Sequence, residues 1–321
     1  MSLAACPPDA PAYVGRFAPS PTGPLHFGSL VAAVGSFADA RAHGGRWLLR
    51  IEDVDAPRTV PGAADAILRT LTRFGFEWDA EPWWQSHRLA HYAEALERLR
   101  ASGNAFPCAC TRREMADSAL ARDGSRLYPG TCREGLPPGR QARAWRVRVA
   151  GCIRFQDRVQ GMQCEDLAQE CGDFVLLRAD GQYAYQLAVV VDDAASGITD
   201  VVRGADLLDS TARQIHLQHL LGHPQPRYAH LPVVVNAAGE KLSKQTLARA
   251  VDDWPVPHAL VAALDFLGQN PPQALHRAAP AEIWQWAFAH WGMARVPACR
   301  SASLAPNQNP SLTTSPTTPP T

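Results

Sequence analysis

Small and apolar residues recur at helical spacing from Ser29 to Ala42, and Gly44-Gly45 closes the run. Before it lies a short strand-like stretch, Tyr13–Ala18. That stretch runs into Pro19-Ser20-Pro21-Thr22-Gly23-Pro24, which no helix or central strand tolerates. After it lies Trp47–Ile51, an apolar run of strand length. Strand, loop, helix and strand within about 40 residues is the βαβ pattern of a parallel sheet and predicts an α/β chain. Helical spacing returns at about 62–75, 87–102, 210–221 and 255–295, the last anchored by Trp284, Trp286 and Trp291. Phe174–Leu177, Ala188–Val191 and Val233–Val235 read as strands, the second with the buried β-branched character of a parallel sheet. Residues 1–12 read as a loose leader. The tail, 299–321, is Ser, Thr, Pro and Asn with almost no charge, and disorder is expected there.

Composition adds a local contrast. The 321 residues include 31 basic and 31 acidic side chains, which excludes a uniformly basic coat but not a local basic face. Between Arg88 and Arg148, twelve Arg meet six acids. Only two of the basic residues are Lys, and they are Lys241 and Lys244. No apolar run approaches the ~20 residues of a membrane span, and the N-terminus lacks the charge and apolar core of a signal peptide. A cytoplasmic chain without membrane contact is expected, and its eight Cys read as thiols or metal ligands rather than disulfides.

Three constellations carry candidate chemistry. In Pro24-Leu25-His26-Phe27-Gly28-Ser29, the glycine admits a ligand close to the backbone. The helix start that follows suits a phosphate, which His26 could also meet. The plainer reading is a strand-to-helix turn with Ser29 as N-cap. Gly239-Glu240-Lys241-Leu242-Ser243-Lys244-Gln245 offers two point charges and a hydroxyl that could clamp a leaving polyphosphate; the plainer reading is an exposed basic loop. Cys108, Cys110 and Cys132, with one more ligand, would make a closed tetrahedral Zn²⁺ site, or else are three structural thiols. His87, His91 or water compete for the fourth position. Cys152, Cys164 and Cys171 lack ligand spacing, and Cys6 and Cys299 lie near loose ends. Asp192-Asp193 reads as a strand-end or cap feature before a Mg²⁺ site. Trp83-Trp84 reads as a domain seam before a base-stacking platform.

The first two loops resemble the HIGH and KMSKS signatures of class I aminoacyl-tRNA synthetases. Arg16–Gly23, Arg50-Ile51-Glu52-Asp53, Leu187–Asp193 and Val202-Arg203-Gly204-Ala205-Asp206 resemble the glutamyl group, in the family's order, over about residues 13–295. Ser29 stands where the second His of the first signature would be, and Gln245 replaces the last Ser of the second. The resemblance implies a Rossmann-like catalytic core split by a zinc-bearing insertion, with halves at 1–81 and 187–238, the insertion at 82–186, and the loop with a small helical domain at 239–298. It implies that ATP meets His26, Gly28, Ser29, Lys241, Ser243 and Lys244, with His26, Lys241 and Lys244 catalytic and Mg²⁺ as cofactor. It implies that L-glutamate meets Arg16, Glu52, Tyr185 and Arg203, with Phe17, Ala18, Pro19 and Ser20 lining the same loop. Tyr183 breaks the family spacing. The resemblance supplies Tyr128 as the fourth zinc ligand.

Full-length members carry a further anticodon-binding region, and nothing comparable follows Pro297. That truncation and the KLSKQ spelling resemble the paralogues that transfer glutamate to the queuosine base at the wobble position of tRNA(Asp). The expected partners are therefore queuosine-containing tRNA(Asp), L-glutamate and ATP, with the chain acting as a monomer. The alternative within the family is a compact enzyme that charges the tRNA 3′ end.

Overall fold

The expected βαβ unit is present as β1 (Val14–Phe17), α1 (Phe27–Ala42) and β2 (Arg46–Ile51), with β1 and β2 parallel and Arg16 opposite Leu48. The computed structural model describes residues 12–304 apart from 117, 122–123, 237–238, 240 and 242–249. Gly44 ends α1 with φ +62°, a left-handed conformation. At Gly45 a Cβ would lie 2.5 Å from the Tyr13 carbonyl oxygen, so the chain can turn into β2 only on glycine. Next come α2 (Ala63–Arg73), β3 (Trp83–Trp84) and α3 (Leu89–Ala101). β4 (Ala105–Cys108), β5 (Ala144–Val147), the hairpin β6 (Cys152–Asp157) and β7 (Gly161–Asp166), the short α4 (Leu167–Glu170) and β8 (Val175–Leu177) follow. The chain continues through α5 (Tyr185–Ala195), β9 (Asp200–Gly204), α6 (Leu208–Leu221), β10 (Arg227–Leu231), β11 (Val233–Val235), α7 (Val256–Phe266), α8 (Pro280–His290) and β12 (Ser301–Ser303).

One sheet runs β1-β2-β3 and another β7-β6-β10-β9; β4-β5-β8 forms a separate antiparallel sheet. The Val14 N–H donates to Thr199 Oγ1 at 2.8 Å and the Thr199 N–H to the Val14 carbonyl at 3.0 Å, so the N-terminal ends of β1 and β9 lie side by side. Strand alternation divides the core. Trp47, Leu49, Val202 and Ala229 join α1, α7 and α8 in one cluster. Leu48, Val201 and Tyr228 join α3, α5 and α6 in another. Helices thus cover both faces of the parallel strands.

The structure departs from the pattern in five places. Ala188–Val191 lies inside the helix α5 rather than a strand. Leu187–Asp193 is buried at seven successive positions. Burial all round admits β-branched residues in a helix at a few tenths of a kcal/mol each, and a short apolar run carries no period to separate the two states. α1 begins at Phe27, with His26 rather than Ser29 as its N-cap. The β6–β7 hairpin lies within 82–186 yet pairs with β10 in the catalytic sheet, through Tyr228 and Asp157. α7 and α8 share the core of α1, with Leu260, Leu264, Ile283 and Trp284 in the same cluster as Phe37, so they form no separate core. Finally, 301–303, expected to be disordered, forms β12, parallel to β11 and with Arg300 paired to Asp209 at 3.0 Å. Backbone pairing at an open strand edge needs no apolar composition. Residues 1–11 and 305–321 lie outside the described residues. Among the described residues no helix is long and apolar enough to cross a membrane.

Candidate active site

Strand alternation turns Arg16, Leu48 and Arg50 toward α5, and there the two guanidiniums meet one carboxylate. Asp193 accepts from Arg50 Nη1 at 2.6 Å and from Arg16 Nε and Nη2 at 3.3 and 3.4 Å. Arg50 Nη2 also reaches Glu52 Oε1 at 3.1 Å. All three charges of the Arg16–Asp193–Arg50 junction are buried. Burial alone would raise the Asp193 carboxyl, but Arg16 and Arg50 outweigh it and hold the group below the usual carboxylate range. Glu52 goes the other way: burial pushes it up, and Arg50 and Arg16 oppose this without cancelling it. The Glu52 N–H is tied to the Pro19 carbonyl at 3.0 Å, which pins the 18–24 loop to this cluster.

Arg203 enters from β9. Its Nη1 lies 3.5 Å from the Tyr185 hydroxyl, at the start of α5. Burial and then the Glu52 charge raise the Tyr185 phenol, so Tyr185 and Glu52 share one environment with Arg16 and Arg203. Arg203 is 5 % exposed; it hydrogen-bonds the His230 ring, the Thr211 hydroxyl, the Leu207 carbonyl and Tyr185, and lies 5.7 Å over the Tyr228 ring. No carboxylate among the described residues pairs with it. A buried guanidinium that meets only neutral groups is a costly arrangement unless an anion arrives.

The sequence-predicted glutamate residues therefore divide. Arg16, Glu52, Tyr185 and Arg203 converge. Ala18, Pro19 and Ser20 lie on the adjoining loop, with Ser20 exposed. The Phe17 ring instead packs in the core, 6.2 Å from Trp47. Of the ATP candidates, His26 caps α1: its Nδ1 accepts from the Ser29 N–H at 3.3 Å, and its Nε2 lies 3.2 Å from Ser29 Oγ. An accepting Nδ1 leaves the ring proton on Nε2, beside the half-buried Gly28 and Ser29 at the helix start. Lys241 contacts Asp206 at 2.5 Å. Ser243 and Lys244 lie outside the described residues.

The Asp pair is not an open metal site. Asp192 accepts from Gln85 at 3.0 Å, Arg88 at 2.6 Å and Tyr92 at 2.7 Å, and Asp193 is taken by arginines. Arg88 also lies 4.1 Å over Trp83, so the Trp pair and Asp192 together seal α5 to β3 and α3.

The sulfurs of Cys108, Cys110 and Cys132 lie within 4.8 Å of one another. Cys110 and Cys132 are 3.7 Å apart, and the Tyr128 oxygen is 3.6 Å from Cys108 and 3.9 Å from Cys110. Four ligands around one tetrahedral Zn²⁺ would stand about 3.8 Å apart for sulfur pairs and about 3.5 Å for sulfur and oxygen, so the donor set fits the ion. His87 stacks on Trp84 instead, 6.2 Å between centroids. The Arg146 guanidinium lies 4.1 Å over the Tyr128 ring and donates to Cys108 Sγ at 3.3 Å.

The sequence reading did not pick out Arg50, Asp193, Asp157 and His230 as site groups. Arg50 and Asp193 at least stand inside recognised motifs; His230 and Asp157 stand in none.

A family model described as the catalytic domain of class I tRNA synthetases (E and Q) matches residues 13–283. The chain is 75% identical over 288 residues to the glutamyl-Q tRNA(Asp) synthetase of Aromatoleum aromaticum, covering 90% of this chain and 91% of that protein. It is 63% identical over 288 residues to the protein of the same name from Dechloromonas aromatica, covering 89% of this chain and 96% of that protein. The crystal structure of a glutamate-tRNA synthetase from Elizabethkingia anophelis superposes with TM-score 0.75 at 24% identity, covering 92% of this chain and 69% of that one, and so speaks for the fold alone. With a matching family model over most of its length and relatives this similar, the chain belongs to the class I tRNA synthetases of the E and Q type.

Proposed function

We propose that this chain activates L-glutamate with ATP and transfers it to the queuosine base at the wobble position of tRNA(Asp). The name carried by its relatives supports the reaction. The observation that supports the substrate is Arg203, a buried cation that meets no carboxylate among the described residues, facing Arg16, Glu52 and Tyr185. Glutamate brings two carboxylates and one ammonium. Arg203 and Arg16 would receive the carboxylates, and Glu52 would receive the ammonium, whose charge opposes the upward push of burial on that carboxyl.

A glutamate carboxylate then attacks the α-phosphate of ATP in line, giving glutamyl-adenylate and pyrophosphate. The enzyme's part is positioning and charge stabilisation. His26 would turn its Nε2 proton from Ser29 to a phosphate oxygen, with Gly28 and Ser29 offering the helix start. Lys241 would exchange Asp206 for the phosphates, together with Ser243 and Lys244. Mg²⁺ would supply further charge on the polyphosphate when bound. A hydroxyl of the queuosine cyclopentenediol then attacks the activated carbonyl, forming the ester as the acyl–phosphate bond breaks and AMP leaves.

In the insertion, Cys108, Cys110, Tyr128 and Cys132 would hold one Zn²⁺, which supplies folding energy to the surrounding loop. The exposed Arg112, Arg113 and Arg143 beside it would meet tRNA phosphates. A cytoplasmic location agrees with this reading.

The test is glutamate transfer to tRNA(Asp) with and without queuosine, and with and without the 3′-terminal adenosine. Transfer that requires queuosine and survives removal of that adenosine is expected. Transfer abolished by its removal would mean 3′-end charging instead, and equal transfer to tRNAs with and without queuosine would refute the base requirement.

A further inference from the structure

Arg203 does not hold its own position. It lies on β9 opposite His230 on β10, and β10 is flanked on its other side by β6, which carries Asp157. The three side chains form a chain of hydrogen bonds across the sheet. His230 Nδ1 is 2.6 Å from Asp157 Oδ2, and Arg203 Nε is 3.0 Å from His230 Nε2. His230 and Thr211 are fully buried and Asp157 is 1 % exposed.

The proton positions follow from the donors. A guanidinium N–H can only donate, so His230 Nε2 is an acceptor and the ring proton sits on Nδ1, pointing at Asp157. The other Asp157 oxygen accepts the backbone N–H groups of Val159, Gln160 and His230 at 2.9, 2.8 and 3.1 Å, which leaves that carboxylate ionised and its orientation fixed. Arg203 Nη2 donates to Thr211 Oγ1 at 2.9 Å, and the hydroxyl proton of Thr211 faces two acceptors, His230 Nε2 at 3.1 Å and the Leu207 carbonyl at 3.3 Å. Two sides of the guanidinium are thus held from behind, and the Nη1 edge is presented toward Tyr185.

We propose that His230, held by Asp157, is a positioning residue for substrate recognition, fixing the Arg203 guanidinium through a neutral acceptor so that its open edge and its charge stay available to a glutamate carboxylate. The neutral spacer is the essential part. A carboxylate in direct contact would fix Arg203 equally well but would also offset its charge, as Asp193 and Glu52 do for Arg50, and would compete with the substrate anion. The imidazole keeps the Asp157 charge one ring away. Burial, followed by the Arg203 charge acting against the hydrogen bond to Asp157, pushes His230 down to about 4, so the ring stays neutral throughout the working range.

The proposal rests on the reading of Arg203 as a glutamate-binding group, and one experiment separates the two. Glutamate-dependent ATP–pyrophosphate exchange is measured for the full chain and for His230→Leu and His230→Gln, with KM determined separately for glutamate and for ATP and folding followed by urea denaturation. Gln places an amide oxygen near the position of Nε2 and remains neutral. The expected result is a rise in glutamate KM of about tenfold to a hundredfold in His230→Leu, the loss of one hydrogen bond to a charged group. Partial recovery is expected in His230→Gln, with ATP KM unchanged in both. Should His230→Leu fail to fold, His230→Gln alone is expected to raise glutamate KM and not ATP KM. Exchange with an unshifted glutamate KM in the folded variants, or equal shifts in both KM values, overturns the positioning role. No glutamate-dependent exchange in the unaltered chain overturns the functional reading and this proposal with it.

Discussion

Asp193→Asn is the most informative single perturbation of the site. It keeps the shape of the side chain and removes the charge that two buried arginines share. In the native protein Arg16 and Arg50 are each 4 % exposed at the side chain and Asp193 is 8 % exposed. At roughly 4 Å and an effective dielectric near 20, each arginine–carboxylate pair contributes about 4 kcal/mol of gross attraction, set against the cost of removing the charges from water. Breaking such a pair from one side leaves buried cations uncompensated and costs about 3–5 kcal/mol. Glu52 still meets Arg50, but among the described residues Arg16 pairs with no second carboxylate, so the upper half of that range is expected. Urea denaturation measures it: the midpoint should fall by the lost free energy divided by an unchanged m-value. The double change Arg50→Met/Asp193→Leu, which removes a cation together with its anion, should cost less than Asp193→Asn alone. A loss below about 1 kcal/mol in Asp193→Asn, or a double change that costs more than the single one, would refute the view that this carboxylate compensates buried charge.

Further outcomes follow from other parts of the molecule. Because the folded protein holds His230 at about 4 against an ordinary value of about 6.5, the unfolded chain binds the proton first as pH falls. Stability should be fully present above about 6.5 and decline toward pH 4, by up to about 3 kcal/mol, and His230→Gln should flatten that part of the urea-midpoint profile. Cys132→Ser should lower the zinc content of the purified protein, measured by atomic absorption, well below one per chain; full occupancy would refute the ligand set. Gly45→Ala should cost about 1–3 kcal/mol in the same urea assay, since the new Cβ meets the Tyr13 carbonyl at 2.5 Å, and a neutral result would show that β1 and β2 can separate there without loss. Glu52→Gln should raise glutamate KM in pyrophosphate exchange while leaving ATP KM in place, and an unshifted value would remove Glu52 from the ammonium site.

Much of the catalytic frame was legible from local pattern. The apolar run Trp47–Ile51 and the helical spacing of Ser29–Ala42 each report a local burial requirement, and the structure satisfies both. Arg16, Glu52 and Arg203 were recognisable because they stand in ordered motifs, Tyr185 because the family resemblance implies it, and Cys108, Cys110 and Cys132 because ligand spacing is a short-range signal. Ala188–Val191 was misread for the same reason that the other elements were read well: the residues report burial, and burial alone does not separate a helix packed on all sides from a central strand. The β12 strand was missed because its composition has no apolar signal; the backbone of β11 makes it.

What the sequence determined by itself is the set of groups available: a parallel unit opening on a glycine-bearing loop, two lysines in a chain otherwise served by arginine, and a thiol cluster. What only the tertiary structure decided is how those charges are paired. Asp193 meets Arg16 and Arg50 across 177 and 143 residues of chain, and Asp157 reaches Arg203 through His230 across three strands. A carboxylate written in a sequence is equally a metal ligand, a helix cap or a counterion. Its role is settled by the charges brought against it in a medium of low dielectric, where electrostatic interactions are strong enough to decide, and those neighbours are long-range contacts that no local pattern encodes.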